Sequence, residues 1–240
     1  MAIEVFATPE AVSHDLRDSS VIVVDVLRAT SVMVTAIANG ARFIVPTMEV
    51  DEAVDRARAL GNQRVLLCGE RNAKPIPEFH LSNSPYEYTE EMVSGRGLVM
   101  TTSNGTKAVL KSKDAKFIVM GAFINARAVA QAVSERKDNI AIVCSGTRSK
   151  FTLEDILCAG CIIDRILAID DQQYMDDLAR TALTLYDSYK DNLRASLNGS
   201  THTEWLRSLG LEEDIAYCLK EDTLSAVPVY SDGVIRSLRA

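Results

Sequence analysis

Long apolar stretches, basic tracts and clustered histidines are all missing from this chain, and each absence narrows the choice of function. No apolar stretch approaches the ~20 residues needed to span a bilayer, so no membrane partner is expected. The opening residues, MAIEVFATPEAV, lack a basic region followed by an apolar signal segment, and a cytoplasmic location is the expectation. Lysine and arginine number 26 against 33 acidic residues, a formal net charge of −7 with no block of either sign. That is no footprint for DNA or RNA, so nucleic acid is not an expected partner. A bound anion would have to be held locally, by helix N-termini and a few arginines.

Cysteine is equally uninformative as a framework. Cys68, Cys144, Cys158, Cys161 and Cys218 make an odd number without disulfide spacing. Cys158 and Cys161 form a C-x-x-C, but LCAGCII reads as the middle of a buried helix, with no second Cys or His pair to complete a zinc site. The spacings of Cys144 to Arg148 and of Cys68 to Arg71 do not match the cysteine phosphatase loop, which argues against a thiolate nucleophile. His14, His80 and His202 have no metal-ligand spacing, and only His80 lies in a candidate site loop.

What the chain does have is a repeated pattern. Six short apolar runs each end in a polar, glycine-rich or charged knot: VIVVDVLRATS from Val21, RFIVPTME from Arg42, RVLLCGER from Arg64, GLVMTTSNGT from Gly97, KFIVMGAFIN from Lys116 and IAIVCSGTRS from Ile140. Consecutive aliphatics without polar alternation suit strands covered on both faces, as in a parallel sheet. Helical segments fall between them. SVMVTAIANG, with Thr30 or Ser31 as cap, closes at Gly40. VDEAVDRARALG stops at Gly61, and NGTKAVLKS and NARAVAQAVSERK follow later runs. The predicted fold class is α/β: a largely parallel or mixed sheet flanked by helices in three layers. At 240 residues and 47% hydrophobic, the chain can form one α/β domain over 1–240. Residues 152–240 form a helix-rich C-terminal portion packed on it. There Thr152 caps TLEDILCAGCIIDRILAI, helices are predicted over 174–190, 192–197, 203–209 and 212–219, and a last strand over 227–230. This apolar helical part is compatible with a homodimer.

In open α/β sheets, ligands sit beyond the carboxyl ends of the strands, where the polar knots fall. Thr101, Thr102, Ser103, Asn104, Gly105 and Thr106 lie between a strand and a helix, where backbone N–H groups and hydroxyls suit a phosphate, and Lys107 adds charge nearby. Asp25 ends a run of aliphatics, where a carboxylate needs a metal, a cation or donors; Arg28 follows within reach. Leu27 stands where a haloacid-dehalogenase signature would have its second aspartate. Glu70 and Arg71 follow the third run. Ser145, Thr147 and Arg148 follow the sixth and could grip a carboxylate, sulfonate or phosphate. Glu154 and Asp155 could complete a hard-cation site with Asp25 and Glu70, or simply supply negative charge at a helix start. The long segment GERNAKPIPEFHLSNSPYEY, rich in proline and poor in periodicity, is expected to lie over a site.

These motifs, taken in order, resemble the 2-phosphosulfolactate phosphatase (ComB) family: DVLRATSVMVTAIANG from Asp25, GER at Gly69–Arg71, NSPYEY from Asn83, TTSNGTK from Thr101, CSGT from Cys144, FTLEDILCAG from Phe151, and the late DIAYCL and VP segments. The resemblance covers nearly the whole chain. It implies an α/β, Mg²⁺-dependent phosphohydrolase of coenzyme M biosynthesis, acting on (2R)-2-phospho-3-sulfolactate, a small anionic phosphoester. Where family members commonly carry two glycines after GER, this chain has Asn72 and Ala73. It also has His80 and Ser82 within a stretch that is commonly F-D-x-G-N-S-P. The expected roles follow. Asp25, Glu70, Arg28 and Arg71 are catalytic, and Asp25, Glu70, Glu154 and Asp155 hold Mg²⁺. Thr101–Thr106, Asn83, Ser84, Ser145, Thr147 and Arg148 bind substrate. The alternatives are a non-catalytic binder of a phosphorylated or sulfonated metabolite, and a phosphatase for a related acidic phosphoester.

Overall fold

The computed structural model describes residues 1–61 and 65–238; Arg64, which opens the third apolar run, lies outside them. In chain order, β1 (Ala2–Phe6), β2 (Ser19–Val24) and α1 (Ala29–Ala38) precede β3 (Phe43–Thr47), α2 (Val50–Leu60), β4 (Val65–Arg71) and the short β5 (Lys74–Pro75). Next come α3 (Glu90–Val93), β6 (Gly97–Thr101), α4 (Gly105–Lys111), β7 (Phe117–Gly121), α5 (Ala126–Ser134) and β8 (Asn139–Cys144). The last third holds α6 (Leu153–Leu167), β9 (Tyr174–Met175), α7 (Asp177–Tyr189), α8 (Leu193–Ser196), α9 (Thr201–Ser208) and α10 (Glu212–Cys218). It ends with β10 (Pro228–Ser231) and β11 (Val234–Ser237).

All six apolar runs are strands; β2, β6, β7 and β8 are buried on both faces almost throughout, while β3 leaves Phe43 and Val45 half-buried. With five further strands the six runs form one mixed eleven-stranded sheet in the order β5-β4-β6-β3-β11-β10-β7-β2-β8-β1-β9, an open α/β fold. Two parallel groups, β4-β6-β3 and β7-β2-β8-β1, are joined through the antiparallel hairpin β10–β11. The C-terminal portion is therefore built into the middle of the sheet.

Helices cover both faces. Residues of α5, α6 and α7 pack against β1, β2 and β8, while Ala53 and Ala57 of α2 meet Val65 and Val99. A third cluster joins Val32 and Met33 of α1 and Ala108 and Val109 of α4 to both parallel groups, through Val21, Val23 and Ile118 on one side and Leu66, Leu98 and Met100 on the other. The sheet thus curls around α1 and α4. Enclosure by both groups explains why α1 has almost no polar face: all of its residues from Ala29 to Ile37 are buried.

The structure departs from the sequence expectation in several places: β5 and α3 are additional short elements, and Thr152 precedes α6 without a side-chain cap hydrogen bond. Tyr174 and Met175 do not begin a helix; they pair in parallel with Ala2 and Ile3, and α7 starts only after Asp176, whose Oδ1 accepts the Ala179 N–H at 2.7 Å. β1 and β11 were not anticipated. AIEVF is short and carries a charge, and VIRS gains its strand character from pairing with β10 across the Asp232–Gly233 turn. Helix α1 starts at Ala29, and the Thr30 hydroxyl, instead of capping it, accepts the Asp25 N–H at 3.1 Å. No helix among the described residues is long and apolar enough to cross a membrane.

The α6–α7 crossing sets a steric limit. A Cβ on Gly160 would stand 2.0 Å from the Ala182 carbonyl oxygen and 2.8 Å from Tyr186 Cβ, so the helices approach through a missing side chain. Gly160→Ala is expected to destabilise the fold by about 1–3 kcal/mol, read as a lower urea midpoint with an unchanged slope.

Candidate active site

Strand register begins the assembly of the site. Val24 of β2 lies opposite Cys144 of β8, so Asp25 and Ser145 emerge side by side. In the other group Gly69 of β4 lies opposite Thr101 of β6, which pairs the exits of Glu70 and Thr102. The curl of the sheet then brings the two groups together. A Cβ on Gly105, at the start of α4, would fall 2.7 Å from Asp25 Oδ2 and 2.5 Å from Ala29 Cβ, so only glycine lets the two loops meet.

Between them lies a cavity of about 60 Å³, lined by Asp25, Arg28, Glu70, Asn83, Ser103 and Asn104, with Thr147 and Arg148. Asn72 and Ala73 contribute from the long loop, as expected of a segment lying over the site. His202, Trp205 and Leu206 of α9 complete the wall.

Two carboxylates organise these loops. Asp155 is buried and accepts the Val26 N–H at 2.9 Å, the Gly146 N–H at 3.1 Å and the Ser145 hydroxyl at 3.3 Å, tying the β2 and β8 exits together. Glu70 does the same on the other side, accepting the Ser103 N–H and the Ala73 N–H, each at 2.6 Å, and the Ser103 hydroxyl at 3.2 Å. Part of the anion cradle read into Thr101–Thr106 therefore holds the protein's own carboxylate. Asn72 and Ala73 adopt φ of 53° and 58°, the left-handed region that favours glycine, and this turns the Ala73 N–H onto Glu70.

The remaining hydroxyl and guanidinium groups divide between lining and scaffolding. Thr102 and Thr106 bond to each other around the start of α4, and Thr101 donates to the Met48 carbonyl at 3.1 Å; none of the three lines the cavity. Arg71 is also outside it, donating to Met48 O at 2.7 Å, Thr101 Oγ1 at 2.7 Å and its neighbour Glu70 O at 2.9 Å. Ser84 and buried Arg28 both engage Asp214 of α10, Ser84 at 2.7 Å, and Arg28 keeps its place on the cavity wall. Lys107 pairs with Glu10 at 2.6 Å, and those lysine contacts hold Glu10 down at about 2. His80 takes no part in the cavity; its Nδ1 accepts the Leu67 N–H at 3.0 Å. The five cysteines are buried and unpaired, and burial pushes their thiols up, away from the thiolate.

Sequence reading missed His202, Trp205 and Asp214. All three come from short C-terminal helices whose position depends on tertiary packing, and none carries a local motif; for Asp214 the similarity of DIAYCL was the available signal. His202 Nδ1 is hydrogen-bonded to Glu154 Oε1. Burial alone would lower the imidazole pKa, but the bond and charge of Glu154 outweigh it and raise it.

A hard cation fits this cavity. Burial raises the Asp25 carboxyl above its usual range, with the nearby Glu70 charge adding to it; burial and the charges of Asp25 and Glu154 raise Asp155 in the same direction. Buried oxygens are left without partners at Asn83 Oδ1, on the cavity wall, and at Glu154 Oε2. Among the described residues no three His, Cys, Asp or Glu side chains form a ready-made metal cage. The donor set therefore suits an ion that keeps much of its water, as Mg²⁺ does.

Because Arg71 clamps three acceptors away from the cavity, Arg71→Ala is expected to lower stability by about 1.5–3 kcal/mol in denaturant titration. Phosphate binding by the folded variant should be unchanged.

The family model for 2-phosphosulpholactate phosphatase matches residues 6–233. A relative from Caldanaerobacter subterraneus subsp. tengcongensis, described as a probable 2-phosphosulfolactate phosphatase, is 38% identical over 238 residues, covering 99% of this chain and 98% of that protein. A Clostridium botulinum protein of the same description is 40% identical over 238 residues, covering 98% of this chain and 100% of the relative. A third, from Clostridium novyi, is 41% identical over 215 residues and covers 90% of each chain. With the match spanning both parallel strand groups and the C-terminal helices that close the cavity, the chain belongs to the 2-phosphosulpholactate phosphatase family.

Proposed function

We propose that this chain hydrolyses an acidic phosphomonoester, (2R)-2-phospho-3-sulfolactate, to sulfolactate and phosphate with Mg²⁺ as cofactor, a step of the coenzyme M biosynthesis type. The observation that carries the reading is convergence: Asp25, Glu70, Arg28, Arg148, Ser103 and Asn83, drawn from five separate segments, line one small cavity. The names of the relatives support the substrate.

Asp25 and Asn83 Oδ1 are the groups with which the chain would hold the metal, assisted through water by Glu70. When bound, Mg²⁺ supplies positive charge that offsets the phosphoryl oxygens. The protein's own groups do the rest. Arg28 and Arg148 bring guanidinium charge to an ester that carries phosphate, carboxylate and sulfonate. Ser103 and Asn104 add polar contacts at the mouth of α4. In the reaction a water oxygen bonds to phosphorus, the ester P–O bond breaks, and the proton the water sheds makes good the one that the leaving alkoxide takes. His202, anchored at Nδ1 by Glu154, is placed on the cavity wall to deliver that proton from Nε2. Most of the acceleration would be positional and electrostatic.

Phosphate release from a panel of acidic phosphomonoesters, with and without Mg²⁺, tests the reading. Phosphosulfolactate should be the best substrate, and chelation should stop turnover. Asp25→Asn should cut kcat by on the order of 100-fold or more while the protein stays folded. Arg148→Ala should raise KM roughly tenfold with kcat little changed. Thermal protection by these esters without any phosphate release would favour a non-catalytic binder instead.

A further inference from the structure

An arginine carries its charge at every working pH, so a buried guanidinium must find an acceptor. Arg28 is 4% exposed on the cavity wall, and Asp25 and Glu70 stand on the same wall. Pairing with either would satisfy the charge. Arg28 instead pairs with Asp214 of α10, which does not line the cavity, and with no other acidic side chain among the described residues. Its Nη2 adds a long bond of 3.4 Å to the Ala73 carbonyl.

The choice of partner decides what the cavity can bind. An Arg28 turned onto Asp25 would neutralise the carboxylate proposed to hold a cation. The same bond would withdraw the guanidinium from phosphate. Pairing outward leaves both free. Asp214 is equipped for this. The Ser84 hydroxyl donates to Asp214 Oδ1 at 2.7 Å, and the other oxygen, Oδ2, accepts from Arg28 Nη1. The helix that carries Asp214 is fixed on two sides. The Tyr217 hydroxyl lies 3.1 Å from Thr35 Oγ1 of α1, and the Tyr217 ring meets that of Tyr86 edge-on, centroids 5.3 Å apart. Arg28 leads directly into α1, and Tyr86 follows Ser84 by two residues. Ser84 also adjoins Asn83, a wall residue whose Oδ1 has no partner. One carboxylate thus supports two walls from behind.

We infer that Asp214 is a positioning residue of the phosphoryl site: from outside the cavity it draws the Arg28 guanidinium away from Asp25 and Glu70, keeping the arginine for phosphate and Asp25 for the cation. This rests on the phosphatase reading and adds to it a residue that touches neither substrate nor metal. A neutral Asn at position 214 would keep the Ser84 bond but strand the guanidinium, which then turns to a cavity carboxylate.

Two direct binding measurements on the full chain test this: Mn²⁺ by electron paramagnetic resonance, and inorganic phosphate, with Mg²⁺ present, by calorimetry. Asp214→Asn should weaken both roughly tenfold. Arg28→Gln should weaken phosphate alone and bind Mn²⁺ at least as tightly as the unaltered protein. The decisive variant combines the two. It should regain the Mn²⁺ affinity of Arg28→Gln, because the competing guanidinium is gone, whereas loss of a purely structural residue would show no such rescue. Ser84→Ala, which removes one support of the ion pair, should weaken Mn²⁺ about threefold, and only while Arg28 is present. Unchanged Mn²⁺ affinity in Asp214→Asn, or a double variant as weak as Asp214→Asn, would overturn the inference. Should Asp214→Asn fail to fold, unchanged Mn²⁺ affinity in Ser84→Ala would overturn it instead. The expected binding pattern in a protein that releases no phosphate from acidic phosphomonoesters would uphold Asp214 and defeat the hydrolytic reading.

Discussion

Backbone amides from four loops end on two buried carboxylates, Asp155 and Glu70, and the arrangement of the site follows from that. Each loop leaves the sheet at a strand end, where N–H groups lose their ladder partners and need new acceptors. Asp155 takes those of Val26 and Gly146; Glu70 takes those of Ala73 and Ser103. Each of these buried carboxyl oxygens depends on its donors, and removing one partner strands a buried polar group. The two carboxylates thus set the spacing of the walls, leaving Asp25, Asn83 and the arginines to face the space between.

The curled sheet is the second constraint. Carboxyl ends within one parallel group meet by register alone, as Asp25 and Ser145 do. Meeting across groups requires the sheet to bend around α1 and α4, and the bend brings Gly105 against Asp25. The hairpin β10–β11, from the far end of the chain, joins the two groups at this bend. The C-terminal helices supply the rest: Asp214 holds Arg28, and His202 engages Glu154. Assembly of the cavity is thereby linked to completion of the whole fold.

Much of this was legible in the sequence, and what was not has physical reasons. Consecutive aliphatics marked all six strands, and the knots after four of them, β2, β4, β6 and β8, marked most of the cavity wall. Residue type alone did not say which polar atoms would remain free. Thr101, Thr102 and Thr106 look like phosphate donors, yet their hydroxyls serve neighbouring backbone and one another. Arg71 looks like an anion grip, yet three acceptors on its own side of the sheet claim it. Local hydrogen bonds cost less entropy than distant ones, so short polar side chains beside a strand end satisfy the chain first. His202 and Trp205 were hidden for the opposite reason: nothing local distinguishes them, and only the packing of α9 brings them to the cavity. Asn72 and Ala73 show a third pattern, non-glycine residues held at positive φ, a conformation their identities do not announce.

The central claim is that one cavity, bounded by both strand groups, holds the phosphoryl group and the cation that offsets its charge. A crystal structure with Mg²⁺ and orthovanadate, a mimic of the phosphoryl group in transfer, addresses it most directly. The account predicts vanadate between Arg28, Ser103 and Arg148, with the cation on Asp25. Vanadate bound elsewhere, or a cation held without Asp25, would contradict it.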